Sequence, residues 1–281
     1  MNPIVSIMAQ GGMGAATAAR LTANGVEVRT VLAGRSAASA ERAAKAGMRD
    51  VSEAELVAAD FLLSIVPPAE AIPLAQRLAP ALRAAGRKPV YVDLNAINPD
   101  TASKVAAIVE ATGATFVDGG IIGGPPRAGY DGPLYYVSGN AAPKVEALAP
   151  FGLKVGVLTG PQFAASALKM SYAGITKGLI ALGSSMILAA RRAGISDALL
   201  TELSASQGNL LAGFSKSIPD MFGKAYRWVA EMEEIADFTG NGPEHDLYAA
   251  IALLYDRLGK DNARDKEEIA ALASFFPTPP T

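Results

Sequence analysis

Residues 1–160 alternate short apolar runs with longer alanine-rich stretches, and this alternation constrains the fold more than any other feature of the sequence. The apolar runs at residues 3–9, 26–32, 61–66, 90–94 and 115–118 predict strands, since they are short, often β-branched, and bounded by glycine, proline or asparagine. Helical stretches separate them. Such alternation is typical of βαβ units, so we predict an α/β domain with a mostly parallel sheet over residues 1–160.

After Gly160 no strand-like run returns. Pro161 opens a stretch that predicts one long helix, which Ala193-Gly194 closes after Arg192. We therefore predict an all-α domain over residues 161–281 that begins with a long interdomain helix. Residues 174–190 of this helix are apolar, but Lys177 and several glycines and serines interrupt them, which favours a buried helix over a membrane span.

Composition excludes several classes of function. The net charge of -2 and the pI near 5.6 give no basic surface for nucleic acid, and we expect no membrane partner. The absence of cysteine excludes disulfides and thiol catalysis, and the single histidine, His245, excludes a multi-histidine metal site. The sequence runs from Met1 straight into a strand-like segment without a basic leader, so we expect a cytoplasmic protein.

A glycine-rich loop follows the first predicted strand. Gly11 and Gly14 match the second and third glycines of the G-x-G-x-x-G pattern, with Gly12 and Met13 between them and Ala9 in place of the first glycine. The middle glycine allows close approach to a pyrophosphate, and the helix that follows offers its free N–H groups to the phosphates. With a strand before it and a helix after it, the loop predicts a Rossmann-type dinucleotide site.

The end of the second predicted strand indicates which dinucleotide binds. NAD-preferring sites place an acidic residue there for the ribose hydroxyls, whereas this chain has Arg35 and Ser36 and no acid. Arg35 is suited to pair with a 2′-phosphate, and Ser36 to donate a hydrogen bond to it. We therefore predict NADP(H) as the cofactor.

Together these motifs resemble the β-hydroxyacid dehydrogenases, relatives of 6-phosphogluconate and 3-hydroxyisobutyrate dehydrogenases. The family's V-D-x-S-T-x-x-P-x-T segment matches residues 92–101, and its D-A-P-V-S-G-G substrate loop matches residues 118–124. Its catalytic lysine falls on Lys169, in the sequence Ala165-Ser166-Ala167-Leu168-Lys169-Met170. The similarity covers the first 195 residues well and the C-terminal helices poorly. Further cofactor contacts are predicted at Val66, Pro67 and Asn95.

The resemblance implies that Lys169 lies beside the nicotinamide and acts as general acid and base in hydride transfer. The family usually has asparagines three and four residues after this lysine, where this chain has Tyr172 and Ala173. Tyr172 shares a helix face with Lys169, so it either helps orient the substrate and relay a proton or simply packs. In the substrate loop Ile122 replaces a serine, which leaves the backbone N–H groups of Gly123 and Gly124 to bind a carboxylate.

Three functional hypotheses follow from these residues. The first is an NADP-dependent dehydrogenase or reductase for a small hydroxyacid or related carbonyl compound. The second is an imine reductase on the same fold, and the third is a non-catalytic NADP(H)-binding sensor. The resemblance also implies an interlocked homodimer. In the C-terminal part, the acids of residues 228–235 are interpreted as a solvated face or as contacts to an amine, and His245 as structural or exposed.

Overall fold

The computed structural model describes residues 2–8 and 10–276 and contains two compact units, Met1–Met170 and Ser171–Thr281. The predicted irregular tail after Phe276 lies outside the described residues. The sequence placed the division at residues 160 and 161, whereas the units divide inside a helix. The reason is that the first turns of this helix pack on the sheet, where Ala165 and Met170 are buried completely.

The first unit contains one sheet with the strand order β3-β2-β1-β4-β5-β6-β7-β8. All neighbouring strands are parallel except β6 and β7. The α/β prediction is therefore confirmed. The strands are β1 Ile4–Met8, β2 Glu27–Thr30, β3 Arg49–Asp50, β4 Phe61–Ser64, β5 Val90–Asp93, β6 Thr115–Ile122, β7 Leu134–Ser138 and β8 Lys154–Val157.

Helices connect these strands and make up the second unit within the described part of the chain. The α-helices are α1 Gly12–Ala23, α2 Ala37–Lys45, α3 Glu53–Val57, α4 Ala71–Ala84, α5 Pro99–Glu110, α6 Ala164–Arg192, α7 Ser196–Ser206, α8 Gly208–Phe222, α9 Ala225–Thr239, α10 Pro243–Ala263 and α11 Glu267–Phe275. Shorter-pitch 3₁₀ segments cover Pro68–Glu70 and Ala142–Phe151. The predicted strand–helix alternation and the long helix are both present, and α6 begins slightly later than predicted.

Two apolar clusters hold the first unit together, one on each face of the sheet. One cluster joins α1 and α2 to the strands and includes Leu21, Val28 and Val137. The other joins α3, α4 and α5 and includes Leu78 and Val105. The central strands are buried on both faces, as expected for a parallel sheet covered by helices.

The helices of the second unit approach closely where one of them carries glycine. A Cβ atom at Gly183 of α6 would lie 2.8 Å from the ring of Phe214 on α8. A Cβ atom at Gly259 of α10 would lie 3.1 Å from the backbone nitrogen of Tyr226 on α9. These glycines therefore let a neighbouring ring or backbone fill the space that a side chain would occupy.

Helix α6 is less completely buried than the sequence predicts. Its length, and a mean hydropathy of 1.5 over an 18-residue stretch, would suit a membrane span, but half of that stretch is buried inside the protein. Apolar side chains cover its exposed side, including Ile175, Leu179, Leu182 and Met186, which are 46–64% exposed. The helix therefore has one core face and one apolar solvent face.

Candidate cofactor and catalytic site

The loop after β1 leads directly into the first turn of α1. Gly11 is the N-cap residue, and the first helical hydrogen bond runs from Ala15 N to Gly11 O over 2.9 Å. Cβ atoms built on Gly11 and Gly12 would meet nothing within 4 Å, and the first turn contains no acidic residue. Free N–H groups facing open space fit a pyrophosphate. Ala9, which replaces the first glycine of the pattern, lies outside the described residues.

Gln10 links this loop to the end of β2. Its side chain is buried completely, and its Nε2 donates to Thr30 Oγ1 and, over 3.1 Å, to the carbonyl oxygen of Val31. Thr30 Oγ1 donates its own proton to Ile7 O, so it accepts from Gln10. This arrangement fixes the amide orientation and turns Gln10 Oε1 towards Arg35, whose Nε donates to it over 3.1 Å.

A second arginine, Arg42 on α2, joins the same loop. Its Nε donates to the backbone oxygen of Gln10 over 2.8 Å, and its Nη2 donates to Ser39 Oγ over 3.1 Å. Ser36 caps α2 by accepting from Ser39 N. Among the described residues no carboxylate pairs with Arg35 or Arg42, and both arginines are exposed. Sequence reasoning missed Arg42, although a basic residue in the predicted helix directly after Arg35 was the available signal.

The loops that follow β4 and β5 are tied together by Asn95. Its Oδ1 accepts from Val66 N over 2.6 Å, and its Nδ2 donates to Ser64 Oγ and to Asp93 Oδ2. The side chain is buried, so it acts within the protein and holds the backbone of both loops. Pro67 follows Val66 and is the N-cap residue of the 3₁₀ segment Pro68–Glu70. The structure therefore brings these predicted residues together at the carboxyl ends of adjacent strands, the usual ligand edge of such sheets.

The predicted substrate loop runs along β6 to its end. Ile122 is the last strand residue, Gly123 has a φ of +125°, and a Cβ atom at Gly124 would meet nothing within 4 Å. A Cβ atom at Gly120 would lie 2.9 Å from Lys169 Cβ and 3.1 Å from Ala165 O. The lack of a side chain at Gly120 therefore lets α6 bring Lys169 directly against the strand of the predicted substrate loop.

Lys169 and Tyr172 fall on either side of the division between the units. Lys169 is half-buried in the first unit. Tyr172 lies three residues further along α6 in the second unit, and its side chain is 48% exposed. Both interpretations of Tyr172, as a residue that orients the substrate and as a packing residue, stay predictions.

The acidic segment after α8 contains a buried ion pair. Glu231 is 7% exposed and its Oε2 pairs with Lys177 Nζ, which also lies 4.7 Å from the centre of the Trp228 ring. Tyr255 Oη donates to the backbone oxygen of Lys177 over 2.6 Å. The solvated-face interpretation is therefore wrong for Glu231, which contacts an amine of its own chain. His245 is partly exposed near Asp237 and Asp246, in agreement with a non-catalytic position.

Comparison with known proteins decides the family. The model of the NAD binding domain of 6-phosphogluconate dehydrogenase matches residues 5–159, which is more than half of the chain. The chain belongs to the β-hydroxyacid dehydrogenase-like family. A second model, a domain of unknown function called DUF1932, matches residues 190–258. The C-terminal helices, where the sequence resemblance was weak, therefore have their own recognisable pattern in this family member.

Three relatives illustrate the range of similarity. A protein of Methanothermus fervidus, named as an uncharacterized 28.5 kDa protein in the 7S RNA 5′ region, is 30% identical over 76% of this chain and 82% of its own length. The structure of the conserved protein MTH1747, described as similar to 3-hydroxyacid dehydrogenases, is 28% identical, with a TM-score of 0.70 over 95% of this chain and 98% of its own. A Mycobacterium tuberculosis 3-hydroxyisobutyrate dehydrogenase with L-serine shares the fold, with 20% identity and a TM-score of 0.73 over 99% of this chain and 100% of its own.

These matches support a β-hydroxyacid dehydrogenase-like oxidoreductase with an NAD(P)-binding domain, and the solved structures share its fold. In this family member the glycine loop, the loops held by Asn95 and the end of β6 carry the predicted site residues. Lys169 reaches the same strand from α6.

Proposed function

We propose that this chain is an NADP-dependent dehydrogenase or reductase that acts on a small hydroxyacid or a related carbonyl compound. The observation that carries the proposal is the close approach of Lys169 Cβ to Gly120, which brings the base of the lysine side chain against the strand of the predicted substrate loop. At the end of the same strand, the backbone at Gly124 is open, since a Cβ atom there would meet nothing within 4 Å, and its N–H group is suited to bind a carboxylate.

The residues of this chain divide the chemistry between them. A bound nicotinamide supplies or accepts the hydride. Lys169 donates a proton to the carbonyl oxygen during reduction and takes it back from the hydroxyl group during oxidation, so that protons and electron pairs balance in both directions. Gly11, Gly12 and the N-terminus of α1 hold the pyrophosphate, and the backbone fixed by Asn95 lines the ligand edge of the sheet.

The preference for NADP rests on Arg35 and Arg42. Two exposed guanidinium groups without a carboxylate partner among the described residues converge on Gln10, at the strand end where the adenosine ribose binds in Rossmann-type domains. A 2′-phosphate would give both of them a negative partner. The serine hydroxyl groups at the start of α2 add hydrogen-bond donors to the same place.

Imine reduction is the second candidate. The replacement of the substrate-loop serine by Ile122 favours it because one polar contact for a hydroxyacid is missing, while the retention of Lys169 favours the first proposal. The third hypothesis, a cofactor-binding sensor, requires that no substrate turns over.

A cytoplasmic location and the lack of nucleic-acid or membrane partners stay predictions.

A screen of turnover separates these functions. We expect NADP(H)-dependent activity with a short-chain hydroxyacid or its carbonyl counterpart, and much weaker activity with cyclic imines or with NAD(H). Absorbance of the reduced nicotinamide is the readout, with each substrate tested in both directions. Activity confined to imines would transfer the assignment to the second candidate, and binding of NADPH without any turnover would support the sensor.

We also propose that two copies of this chain form a homodimer through the exposed apolar side of α6 and α10. A groove of about 590 Å³ lies between these helices, next to the side chains of Ile175, Leu182 and Tyr248. Leu247 on α10, which also lines this groove, is 56% exposed. A continuous apolar patch of this kind marks an interaction site more often than free surface, and a second copy presents the same apolar patch.

Leu182→Asp should turn the dimer into a monomer. Burial of an unpaired carboxylate in an apolar interface destabilises the dimer by a few kcal/mol. This raises the dimer dissociation constant by about 100-fold or more. Sedimentation at micromolar concentration is the measurement, and Leu134→Asp, at an exposed leucine of β7, is the control that should stay dimeric. A wild-type protein that sediments as a monomer with full activity would refute the dimer.

A further inference from the structure

Asp118 is a carboxyl group buried inside the first unit, with 1% of its surface exposed. Ser166 donates to it twice, through its hydroxyl group to Oδ1 and through its backbone N–H to Oδ2 over 2.9 Å. The Ser138 hydroxyl group, from β7, donates to Oδ2 over 2.8 Å. Asp118 therefore joins two strands to the start of a helix.

The start of α6 needs such partners. The first N–H groups of a helix have no acceptor within the helix, and leaving them buried and unpaired destabilises the fold. Asp118 accepts from Ser166 N, and Ser138 Oγ accepts from Ala165 N over 2.9 Å. Ala165 and Ser166 are themselves buried, so these bonds replace water at the helix start.

The turn that these bonds hold is the turn that precedes Lys169. Ser166 and Lys169 are three residues apart and lie on neighbouring positions of one helix face. On β6, Asp118 and Gly120 are two residues apart, so the two positions lie on the same face of the strand. Asp118 thus fixes α6 one turn before Lys169, and Gly120 fixes how closely α6 can approach.

We propose that Asp118 is a positioning residue for Lys169: by accepting hydrogen bonds from the first turn of α6, its carboxyl group sets where the Lys169 amine lies above β6. The proposal rests on the proposed catalytic role of Lys169. We assign Asp118 itself no contact with the substrate. It acts through the helix.

The hydrogen-bond acceptors of Asp118, rather than its charge, perform this task. Burial raises the pKa of Asp118, while the hydrogen bonds from Ser166 and Ser138 act in the opposite direction. Asparagine in its place keeps an oxygen for Ser166 N and can donate its amide to the Ser166 hydroxyl group, whereas alanine leaves the Ser166 N–H without this acceptor. The two variants therefore separate position from charge.

The experiment compares Asp118→Ala and Asp118→Asn with the wild-type protein. We expect Asp118→Ala to lower kcat about 10- to 100-fold, because small displacements of a catalytic group are expensive, with NADPH affinity within about twofold. Amide hydrogen exchange across residues 164–170 should speed up about tenfold or more. Asp118→Asn should stay within about fivefold of wild type in both readouts. Asp60→Ala is the matched control, since Asp60 accepts from Ile4 N over 2.8 Å elsewhere in the sheet and should change neither readout.

Gly120→Ala keeps the proposal testable if Asp118→Ala does not fold. The new Cβ would lie 2.9 Å from Lys169 Cβ and displace α6 while the Asp118 side chain itself is retained, so kcat should fall while NADPH binding persists. Gly86→Ala, where a Cβ meets nothing within 4 Å, is its control. If Gly120→Ala keeps wild-type kcat, the proposal is wrong.

Other outcomes are equally decisive. Faster exchange at residues 164–170 in Asp118→Ala with an unchanged kcat would overturn the positioning role, as would equal losses of kcat and NADPH affinity. Failure of the proposed function is distinguishable, because it would appear as full turnover in a Lys169→Met variant, whatever Asp118→Ala does to hydrogen exchange.

Discussion

Lys169→Met is expected to lower the turnover number about 10²- to 10⁴-fold, the range for loss of a positioned general acid. Methionine keeps most of the length and the apolar bulk of lysine, so the contact with Gly120 at Cβ persists and the helix start should stay in place. Because only a group that acts in the transition state is removed, NADPH affinity should hardly change. Steady-state kinetics and a cofactor titration on the substrate found in the screen give both numbers.

In the rival assignment, Tyr172 is the proton donor and Lys169 only binds the substrate. In that case Tyr172→Phe abolishes turnover, while Lys169→Met chiefly raises the Michaelis constant. Lys104→Met, at an exposed lysine on α5, is the control for the loss of a surface charge and should behave as wild type. Near wild-type turnover of Lys169→Met at saturating substrate would end the assignment of Lys169 as the acid.

Arg35→Ala and Arg42→Ala should each weaken NADPH binding about 10- to 100-fold, as expected for the loss of a hydrogen-bonded pair with a charged group. NADH lacks the 2′-phosphate, so its affinity should stay nearly constant in both variants. The double variant should bind the two cofactors with similar affinity. Titration of each protein with NADPH and NADH, followed by nicotinamide fluorescence, is the measurement.

Arg42 also supports the cofactor loop through the backbone oxygen of Gln10, and this offers a different explanation that the same titration tests. If Arg42 only holds the loop, Arg42→Ala weakens NADH and NADPH equally. The same reasoning applies to Arg35 and the side chain of Gln10. Arg49→Ala is the control, because Arg49 is an exposed arginine at the sheet edge that pairs with Glu27 and Glu55.

The alternation of the first half predicted the α/β fold because parallel strands are short, apolar and separated by helices, all of which are local properties. The start of α5 also has a local cause, since Asn98 Oδ1 accepts from Thr101 N over 2.9 Å. The strands β7 and β8 were missed. β7 is antiparallel to β6 after a loop rich in glycine and proline, and β8 contains Gly156, so pairing rather than propensity makes them strands.

The residues of the candidate site also differ in whether a local sequence signal marks them. Arg35 and Lys169 were selected as candidates from motifs within a few residues, and their proposed roles stay predictions. Arg42 and Asp118 make their contacts only because distant segments converge on them. The burial of Glu231 against Lys177, 54 positions away, likewise has no local signal, and the sequence pattern alone favoured a solvated face.

The fixed amide of Gln10 limits how cofactor preference can be redesigned in this protein. The usual route to NADH replaces the basic residue after β2 with an acid that binds the ribose hydroxyl groups. Here a carboxylate at position 35 would face Gln10 Oε1, another acceptor, and Gln10 cannot rotate because Thr30 and Val31 both hold its Nε2. A change from the proposed NADP preference to NAD in this protein would therefore require two linked substitutions, one in each loop, and the variant that carries only the acid would be unfavourable.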